Sequence, residues 1–277
     1  MDPIELTKKA KEIKYKTAQM CVEKGKGHIT SALSCAEIVT VLYYQIMRID
    51  PRNPAWPHRD RFVMSKNHGS VITYPILADL GYFPADVLDS YQEDGSCLGT
   101  HSKLLVPGVE FAGGSLGIGL GAACGMALAA RADGASWKTY CLVGDCECQE
   151  GSIWESIMFA GHHKLSNLVM LVDCNGEGST DFIQELVPLA PWAEKLEAFG
   201  WEVRDIPDGH CTESLARELA YAQEEGREKP LCFLITTVKG HGISFMEHVP
   251  WMHGQSPVGE DGVKALAELR GELHAVQ

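Results

Sequence analysis

Two polar residues, Asp145 and Asn175, each follow a run of apolar residues that has the length of a buried strand. The runs span 138–143 and 168–172, and a helical pattern at 152–164 separates them. In a parallel sheet, this order brings both turns to the same carboxyl edge, where α/β proteins hold their ligands. A carboxylate and an amide oxygen there suit Mg²⁺ or Ca²⁺, and Mg²⁺ usually completes its shell with phosphate oxygens and water. The spacing therefore predicts a metal site with a phosphorylated cofactor beside it.

The pair alone also fits a structural interpretation, because Asp and Asn are ordinary turn and helix-capping residues. The whole stretch 144–175 is more specific. Its sequence, GDCECQEGSIWESIMFAGHHKLSNLVMLVDCN, resembles the thiamine-diphosphate signature of transketolases, which is Gly-Asp-Gly with an Asn further along the chain. The resemblance implies thiamine diphosphate as cofactor, held through Mg²⁺ (or Ca²⁺) by Asp145, Asn175 and the main-chain carbonyl of Glu177. It also implies that Gly144 belongs to the cofactor-binding residues.

Cys146 departs from that signature, because the family has its second Gly at this position. In the family, the backbone N–H of this residue meets the diphosphate. Cys retains an N–H, so the resemblance still implies that Cys146 binds the cofactor. What Cys lacks is the tolerance of Gly for unusual backbone conformations and for close approach.

Four histidines, His28, His68, His101 and His253, stand in Gly-containing loops rather than on apolar faces. A single histidine of this kind is ordinarily structural. Four of them, at turns that can converge on one rim, indicate a binding site instead. Histidines titrate near neutrality, so they suit proton transfers to and from sugar hydroxyls.

The resemblance to transketolases covers residues 10–257. Besides the metal signature, it is strongest in GKGHITSALS, SKNHGS, GVEFAGGSLGIGL, TVKGHGISFME and WMHGQSP. It implies that His68 and His253 lie near the diphosphate, whereas His28, His101 and His253 face substrate oxygens. His241 stands where related split transketolases often have Lys, and the resemblance gives it no role.

Three further residues take roles from the resemblance. Gly114 and Leu116 match contacts to the aminopyrimidine of the cofactor. Glu150 matches a glutamate that links the two cofactor sites of a dimer, and it joins His28, His101 and His253 as a catalytic candidate. The implied reaction moves a two-carbon ketol unit from a ketose to an aldose, and the cofactor accepts electrons as the carbon–carbon bond breaks.

Composition limits the class of protein. The chain has 277 residues, of which 45% are apolar and 22% charged, as in ordinary globular proteins. A net charge of −13 argues against a nucleic-acid partner. The first residues resemble no secretory signal, so we expect a cytoplasmic protein whose ten cysteines are reduced. The spacing of Cys141, Cys146 and Cys148 fits no common structural zinc site.

The first half of the chain predicts helices at 4–23 and 34–47 and a short strand at 61–65. Ser34 and Glu37 have the spacing of a capping box for the second helix. The uncharged stretch 111–130 is long enough to cross a membrane, but its many glycines and polar flanks favour a buried helix instead. Its glycines at 117, 121 and 125 would form a smooth stripe. The match to a dinucleotide-binding fingerprint at 117–122 is weak because no good strand precedes it.

The second half alternates helix and strand, with helices at 190–199 and 211–225 and strands at 201–206 and 231–237. A glycine- and histidine-rich loop and a final short helix follow. This alternation predicts one α/β domain over residues 1–277, a parallel sheet flanked by helices with a short C-terminal tail. The resemblance identifies it as the thiamine-diphosphate-binding fold, specifically the diphosphate-binding domain.

The resemblance also implies a partner, because transketolases need a second domain that binds the aminopyrimidine and the substrate phosphate. No second α/β block of about 150 residues follows here. We therefore expect the amino-terminal subunit of a split transketolase, which works with a C-terminal subunit that carries the pyrimidine-binding domain, in two copies of each chain. Two alternatives stay open: a relative of 1-deoxyxylulose-5-phosphate synthase, and a non-catalytic subunit.

Overall fold

Five parallel strands form the centre of the structure, a computed structural model that describes residues 1–276. They are β1 (Arg61–Met64), β2 (Thr139–Gly144), β3 (Leu168–Cys174), β4 (Glu202–Ile206) and β5 (Leu231–Thr236). Their order in the sheet is β1-β2-β3-β5-β4, and every neighbouring pair is parallel. The inner strands read as continuous apolar runs because both faces of a parallel sheet are covered. The predicted fold class, a parallel sheet flanked by helices, is confirmed.

Helices cover both faces of the sheet. They are α1 (Pro3–Lys24), α2 (Ile29–Ser34), α3 (Ala36–Val41), α4 (Thr73–Leu80), α5 (Gly119–Ala132), α6 (Gly151–His162), α7 (Trp192–Ala198), α8 (Thr212–Ala220) and α9 (Gly259–His274). Alternate residues of each strand point to opposite faces. In β2, Tyr140 and Leu142 join the core formed with α1 to α4, α8 and α9. Cys141 and Val143 join the core formed with α5, α6 and α7.

The first helix follows the predicted pattern, with its ends shifted by one residue. Asp2 caps its N-terminus, accepting from the Glu5 N–H at 2.9 Å, while the Glu5 carboxylate accepts from the Asp2 N–H at 3.2 Å. This reciprocal capping satisfies two donors that the first turn leaves free. Gly25 ends the helix in a left-handed conformation with φ of 60°.

The predicted helix at 34–47 is confirmed over most of its length, because α3 continues directly into a π-helical turn at Leu42–Ile46. Its start is wrong, because α2 ends at Ser34 and the chain breaks at Cys35. The capping box predicted there is also wrong. Ser34 ends α2, and its buried hydroxyl donates to both carboxylate oxygens of Asp173, at 2.8 and 2.6 Å. A hydrogen bond to a carboxylate is stronger than one between neutral groups, so this distant partner outcompetes the local backbone.

The glycine-rich stretch differs from its prediction. The helix α5 begins only at Gly119, and Gly117 lies before it with φ of 88°. Gly121 and Gly125 are exposed, so the glycines form no buried stripe. Among residues 1–276, no helix combines the length and the apolar character needed to cross a membrane. The last helix, α9, is longer than predicted and packs Ala265 and Leu269 into the core.

Candidate functional site

The turns after β2 and β3 meet at the carboxyl edge of the sheet, as the sequence predicts. Gly144 pairs with Asp173 in the parallel register, so the residues that follow lie side by side. The N–H of Gly176 donates to Asp145 Oδ2 at 2.6 Å, and the N–H of Cys146 donates to Asp145 Oδ1 at 2.8 Å. Asp145 and Asn175 consequently border one cavity.

This cavity, which we call the edge cavity, has a volume of about 110 Å³. Most of the residues predicted to bind the cofactor or metal line it: His68, Leu116, Gly144, Asp145, Cys146, Asn175, Glu177 and His253. Residues that the sequence did not single out also line it, among them Lys66, Glu147 and Lys239. The edge cavity is therefore the place where the predicted site residues converge.

Asp145 is a buried acidic residue that has no ion-pair partner within residues 1–276. Only 4% of the residue is exposed. Burial raises the pKa of Asp145 to about 7, and repulsion from Asp173 adds to this effect, while hydrogen bonds from Gly176 and Cys146 oppose it. A bound divalent cation would supply the missing positive charge, so the environment of Asp145 fits a metal ligand.

Asn175 is oriented by its neighbours. Its side-chain amide donates to Ser34 Oγ at 3.0 Å, and its Oδ1 accepts from the Glu177 N–H at 3.1 Å. Glu177 lies on the same turn, and its main-chain carbonyl is the group that the sequence predicts as a metal ligand. Its own carboxylate is buried, and within residues 1–276 neither of its oxygens has a hydrogen-bond partner. Together with Asp145, these oxygen groups form the donor set that Mg²⁺ or Ca²⁺ prefers.

A buried ion pair lies beneath the edge cavity. Lys66 and Asp173 are in contact, with 2% and 0% of their side chains exposed. Asp173 also accepts hydrogen bonds from Ser34 and Thr237. Burial acts to raise the pKa of Asp173, but Lys66 and these hydroxyls more than offset it, so the pKa is lowered. The pair joins the turn after β1 to the end of β3 and so fixes the floor of the site.

The four predicted histidines converge. The ring of His28 lies 5.3 Å from that of His68, 6.0 Å from that of His101 and 5.2 Å from that of His253, measured between centroids. The rings of His68 and His253 are 4.8 Å apart. Burial lowers the pKa of His68 to about 2 and that of His253 to about 3, and neighbouring positive groups add to both shifts. The rings are therefore neutral near pH 7. Among the residues that the structure describes, Nδ1 of His28 and Nδ1 of His253 are buried without a hydrogen-bond partner.

The remaining predicted residues are placed differently. Gly114 is exposed, and a Cβ at its position would lie 3.8 Å from the ring of His101. Glu150 is exposed at the start of α6 and does not line the edge cavity. It lies beside Gly117, where an added Cβ would come within 2.7 Å of the Glu150 Cβ. Glu150 is thus outside the histidine cluster, on the surface.

Sequence reasoning missed Lys66, Lys239 and Glu147. Lys239 is 2% exposed, and its ammonium donates to the Gly178 carbonyl. Burial lowers the pKa of Lys239, and Glu177 partly opposes this effect. The signal was present for both lysines, because each stands in one of the histidine-containing motifs, SKNHGS and TVKGHG. In each motif the lysine stands two residues before the histidine, but only the histidines were considered as site residues.

Glu147 shapes the turn that carries Asp145. Its carboxylate accepts hydrogen bonds from the N–H groups of Gly117 and Gly144, at 2.9 and 3.0 Å, and from Ser65 Oγ at 2.5 Å. These bonds connect the end of β2 with the segments before α5 and after β1. Glu147 thereby satisfies backbone donors that would otherwise be buried alone.

The family relationship follows from comparisons with known proteins. The sequence profile described as "Transketolase, thiamine diphosphate binding domain" matches residues 7–273. The 6-deoxy-6-sulfo-D-fructose transketolase subunit SqwG of Clostridium sp. (strain MSTE9) is 39% identical over 270 residues, 97% of this chain and 98% of that protein. One subunit of the apulose-4-phosphate transketolase of Actinobacillus succinogenes is also 39% identical over 270 residues, 97% of each chain.

Longer transketolases match over only part of their length. The transketolase of Rattus norvegicus is 39% identical over 250 residues, which is 89% of this chain and 39% of that protein. The crystal structure of transketolase from Campylobacter jejuni superposes with a TM-score of 0.90 at 29% identity, and the match covers 99% of this chain and 43% of that one. The chain belongs to the transketolase family, in the part that binds thiamine diphosphate. In extent it equals the subunits of split transketolases, and the relatives support this interpretation rather than the two alternatives.

Proposed function

We propose that this chain is the amino-terminal, diphosphate-binding subunit of a split transketolase that moves a two-carbon ketol unit from a ketose to an aldose. The observation that carries the proposal is the edge cavity, which Asp145 shares with Asn175 and two lysines. His68 and His253 also line it and join it to the cluster of four histidines. We further propose that residues 1–277 act as one domain. The family membership supplies the reaction class.

Asp145, Asn175 and the carbonyl of Glu177 would hold Mg²⁺ (or Ca²⁺) on the diphosphate of the cofactor. The backbone of Gly144 and Cys146 would face the diphosphate, as would His68 and His253. Cys146 has φ of −66° and ψ of −34°, a conformation open to any residue. This conformation removes the main objection to Cys at the signature position, because the turn does not require glycine.

The chemistry divides between cofactor and protein. Thiamine diphosphate supplies an electron sink for cleavage of the bond beside the ketose carbonyl. The protein contributes His28, His101 and His253, whose neutral rings each offer one donor and one acceptor nitrogen to sugar hydroxyls. Because the pKa values of His28, His101 and His253 are lowered mainly by burial, these rings stay uncharged at neutral pH and accept protons only transiently.

A partner subunit completes the proposal. The relatives that this chain matches from end to end are named as subunits, whereas the single-chain transketolases are more than twice as long as the matched part. We propose a cytoplasmic assembly of two copies of each chain, in which the partner binds the aminopyrimidine and Gly114, Leu116 and Glu150 contribute from this side. A two-fold assembly is the commonest arrangement for oligomers.

The substrate is proposed to be an anionic ketose. The two end-to-end relatives are named for 6-deoxy-6-sulfo-D-fructose and for apulose 4-phosphate, which carry a sulfonate and a phosphate respectively. Both names combine a ketose with a terminal anion. The cationic groups that would recognise this anion are expected on the partner subunit.

Cofactor binding tests the metal site. Thiamine diphosphate and Mg²⁺ are titrated into the assembled enzyme, into the same assembly with Asp145→Ala, and into one with the exposed control Asp133→Ala. We expect Asp145→Ala to weaken binding by more than about 100-fold, because the diphosphate loses its metal bridge in a dry site. The control should bind normally. Equal affinities for Asp145→Ala and the unmodified enzyme would refute the assignment.

Reconstitution tests the division into subunits. The chain and a candidate C-terminal subunit, sought among the products of neighbouring genes, are purified separately and together, and their masses in solution are measured. Transfer of a ketol unit is then assayed with sulfonated and phosphorylated ketoses as donors. We expect activity only in the mixture, with two copies of each chain. Full turnover by the isolated chain would contradict the proposal, and so would a mixture that binds cofactor yet transfers nothing.

A further inference from the structure

A second cluster of buried and half-buried polar side chains lies outside the edge cavity and has no role in the site described so far. It consists of Lys14 on α1, Glu37 on α3, His210 in the loop before α8, and His241 in the segment after β5. The Lys14 ammonium donates to Glu37 Oε1 at 3.1 Å and to His241 Nδ1 at 2.8 Å. Glu37 Oε2 lies 3.0 Å from His210 Nδ1. We call these four residues the support cluster.

The hydrogen bonds fix the tautomer of His210. The backbone N–H of Val238 donates to His210 Nε2 at 2.8 Å, so this nitrogen carries the lone pair. The ring proton therefore resides on Nδ1 and is donated to Glu37. An unbroken series of hydrogen bonds runs from the buried carboxylate through the imidazole to the backbone beside Lys239.

The support cluster superficially resembles a metal site. Ligand atoms of Glu37, His210 and His241 all lie within 4.8 Å of one another. The hydrogen bonds argue against a metal ion there, because the Lys14 ammonium already binds two of these three residues, Glu37 and His241. The lone pair of His210 is also committed to Val238, on the other side of the ring. The cation of this cluster is Lys14.

The segment 237–241 is held from two sides. On one side, Thr237 donates to Asp173 and the Lys239 ammonium donates to Gly178, both next to the edge cavity. On the other side, Val238 donates to His210, and the ring of His241 stacks on that of His210 with centroids 3.6 Å apart. Lys239 therefore projects into the edge cavity from a segment whose opposite face rests on the support cluster.

We propose that Glu37 and His210 are positioning residues for cofactor binding: they hold the backbone at Val238 so that the Lys239 ammonium stays in the edge cavity, where it neutralises the diphosphate. This inference rests on the proposed function. Loss of the imidazole would leave the Val238 N–H without its acceptor and free the segment to shift. The backbone of Lys239 would then no longer be fixed, and its ammonium would no longer be held in position for the diphosphate.

A double-mutant cycle tests the coupling. His210→Phe keeps an aromatic ring against His241 but removes both hydrogen bonds, and Lys239→Met removes the ammonium with little change of volume. Dissociation constants for thiamine diphosphate with Mg²⁺ are measured calorimetrically in the assembled enzyme, together with thermal midpoints. We expect His210→Phe to weaken binding about tenfold in the native background and less than about twofold beside Lys239→Met, because the two residues act through one contact. His210→Gln, which can still accept from Val238, should restore part of the affinity.

Several outcomes would overturn the inference. Equal losses in both backgrounds would show a general structural defect, and so would a loss that tracks the thermal midpoint across the variants. The exposed control His58→Phe should change neither quantity. Zn²⁺ titrated into the cofactor-free protein should bind the native and His210→Phe forms alike, and zinc binding that disappears in His210→Phe would identify a metal site instead. Failure of the unmodified enzyme to bind thiamine diphosphate would refute the proposed function itself.

Discussion

Two buried carboxylates, Asp145 and Glu37, show how differently the same group is used in the edge cavity and in the support cluster. Both are 4% exposed. Burial raises the pKa of Asp145 to about 7, and the adjacent Asp173 reinforces this effect. Burial acts in the same direction on Glu37, but Lys14 and then His210 reverse it and lower its pKa to about 2. Burial therefore disfavours the ionised form of Asp145, whereas the Glu37 carboxylate is stabilised by the positive charge of Lys14.

The contrast extends to their neighbours. Near the edge cavity, both oxygens of Glu177 and the Nδ1 atoms of His28 and His253 are buried without hydrogen-bond partners in the described part of the chain. Within residues 1–276, no buried polar side-chain atom of the support cluster is in that state. Unpaired buried groups cost free energy in an empty protein, so a region that retains several of them is organised for a ligand. The support cluster, whose polar groups pair with one another and with the backbone, instead holds together the segments on which it lies.

Removal of the Glu37 charge should have the largest effect on stability. Glu37→Gln leaves the Lys14 ammonium buried without its counter-charge, so we expect the free energy of unfolding at neutral pH to fall by about 3–5 kcal/mol. Urea denaturation followed by circular dichroism measures it. The exposed control Glu213→Gln should change it by less than about 0.5 kcal/mol. An unchanged midpoint for Glu37→Gln would remove the contrast between the two regions.

Asp145 should behave differently. Asp145→Asn removes an uncompensated buried charge but also one of the two oxygens that accept from the Gly176 and Cys146 N–H groups, so we expect the stability of the cofactor-free assembly to change by less than about 1 kcal/mol. The same variant should no longer gain thermal stability when thiamine diphosphate and Mg²⁺ are added. Differential scanning calorimetry with and without the cofactor gives both numbers, and Asp133→Asn serves as the control. A loss of about 3 kcal/mol or more in the cofactor-free form, as expected for Glu37→Gln, would contradict this account.

The acid dependence of stability sharpens the assignment of Glu37. Its folded pKa of about 2 lies below the ordinary value of 4.5, so its contribution is complete above pH 4.5 and is lost as the pH falls towards 2. The difference in unfolding free energy between the native protein and Glu37→Gln should therefore shrink below pH 4.5, by at most about 1.4 kcal/mol per pH unit. Urea titrations from about pH 6 to about pH 3 measure it. A difference that stays constant over this range would argue that Glu37 is not the titrating group.

Cys146 should show the smallest effect. Its backbone conformation does not require glycine, so Cys146→Gly should keep cofactor affinity within about threefold of the native value. Cys146→Val should weaken binding by about 1 kcal/mol, because the turn has little room for a branched side chain. The Cys146 Sγ already lies 3.2 Å from the position of a Cβ on Gly178. Calorimetric titration of both variants with thiamine diphosphate and Mg²⁺ measures their affinities. Native affinity in Cys146→Val would show that the turn accommodates a branched side chain.

The sequence allowed much of the fold and the site to be predicted. Strand positions followed from apolar runs, and the direction of a parallel sheet then required that Asp145 and Asn175 meet at one edge. The four histidines could be grouped because each stood at a glycine-containing turn. The failures were equally specific, because the helix predicted at 34–47 begins only after Cys35, and its predicted cap, Ser34, instead bonds to Asp173, a contact that local propensity does not encode.

Those contacts are what only the tertiary structure decided. The sequence predicted Ser34 as a helix cap, but its hydroxyl donates to the carboxylate of Asp173, 139 positions away. Lys66 and Asp173 became a pair only when the end of β3 approached the turn after β1, and His210 found Val238 only through the crossover between β4 and β5. The sequence by itself determined the positions of the strands and of most longer helices, because periodicity and turn residues act over a few positions. Partners for buried charges were decided by the fold, because desolvation makes each such group bind the nearest complementary one in space, wherever that residue lies along the chain.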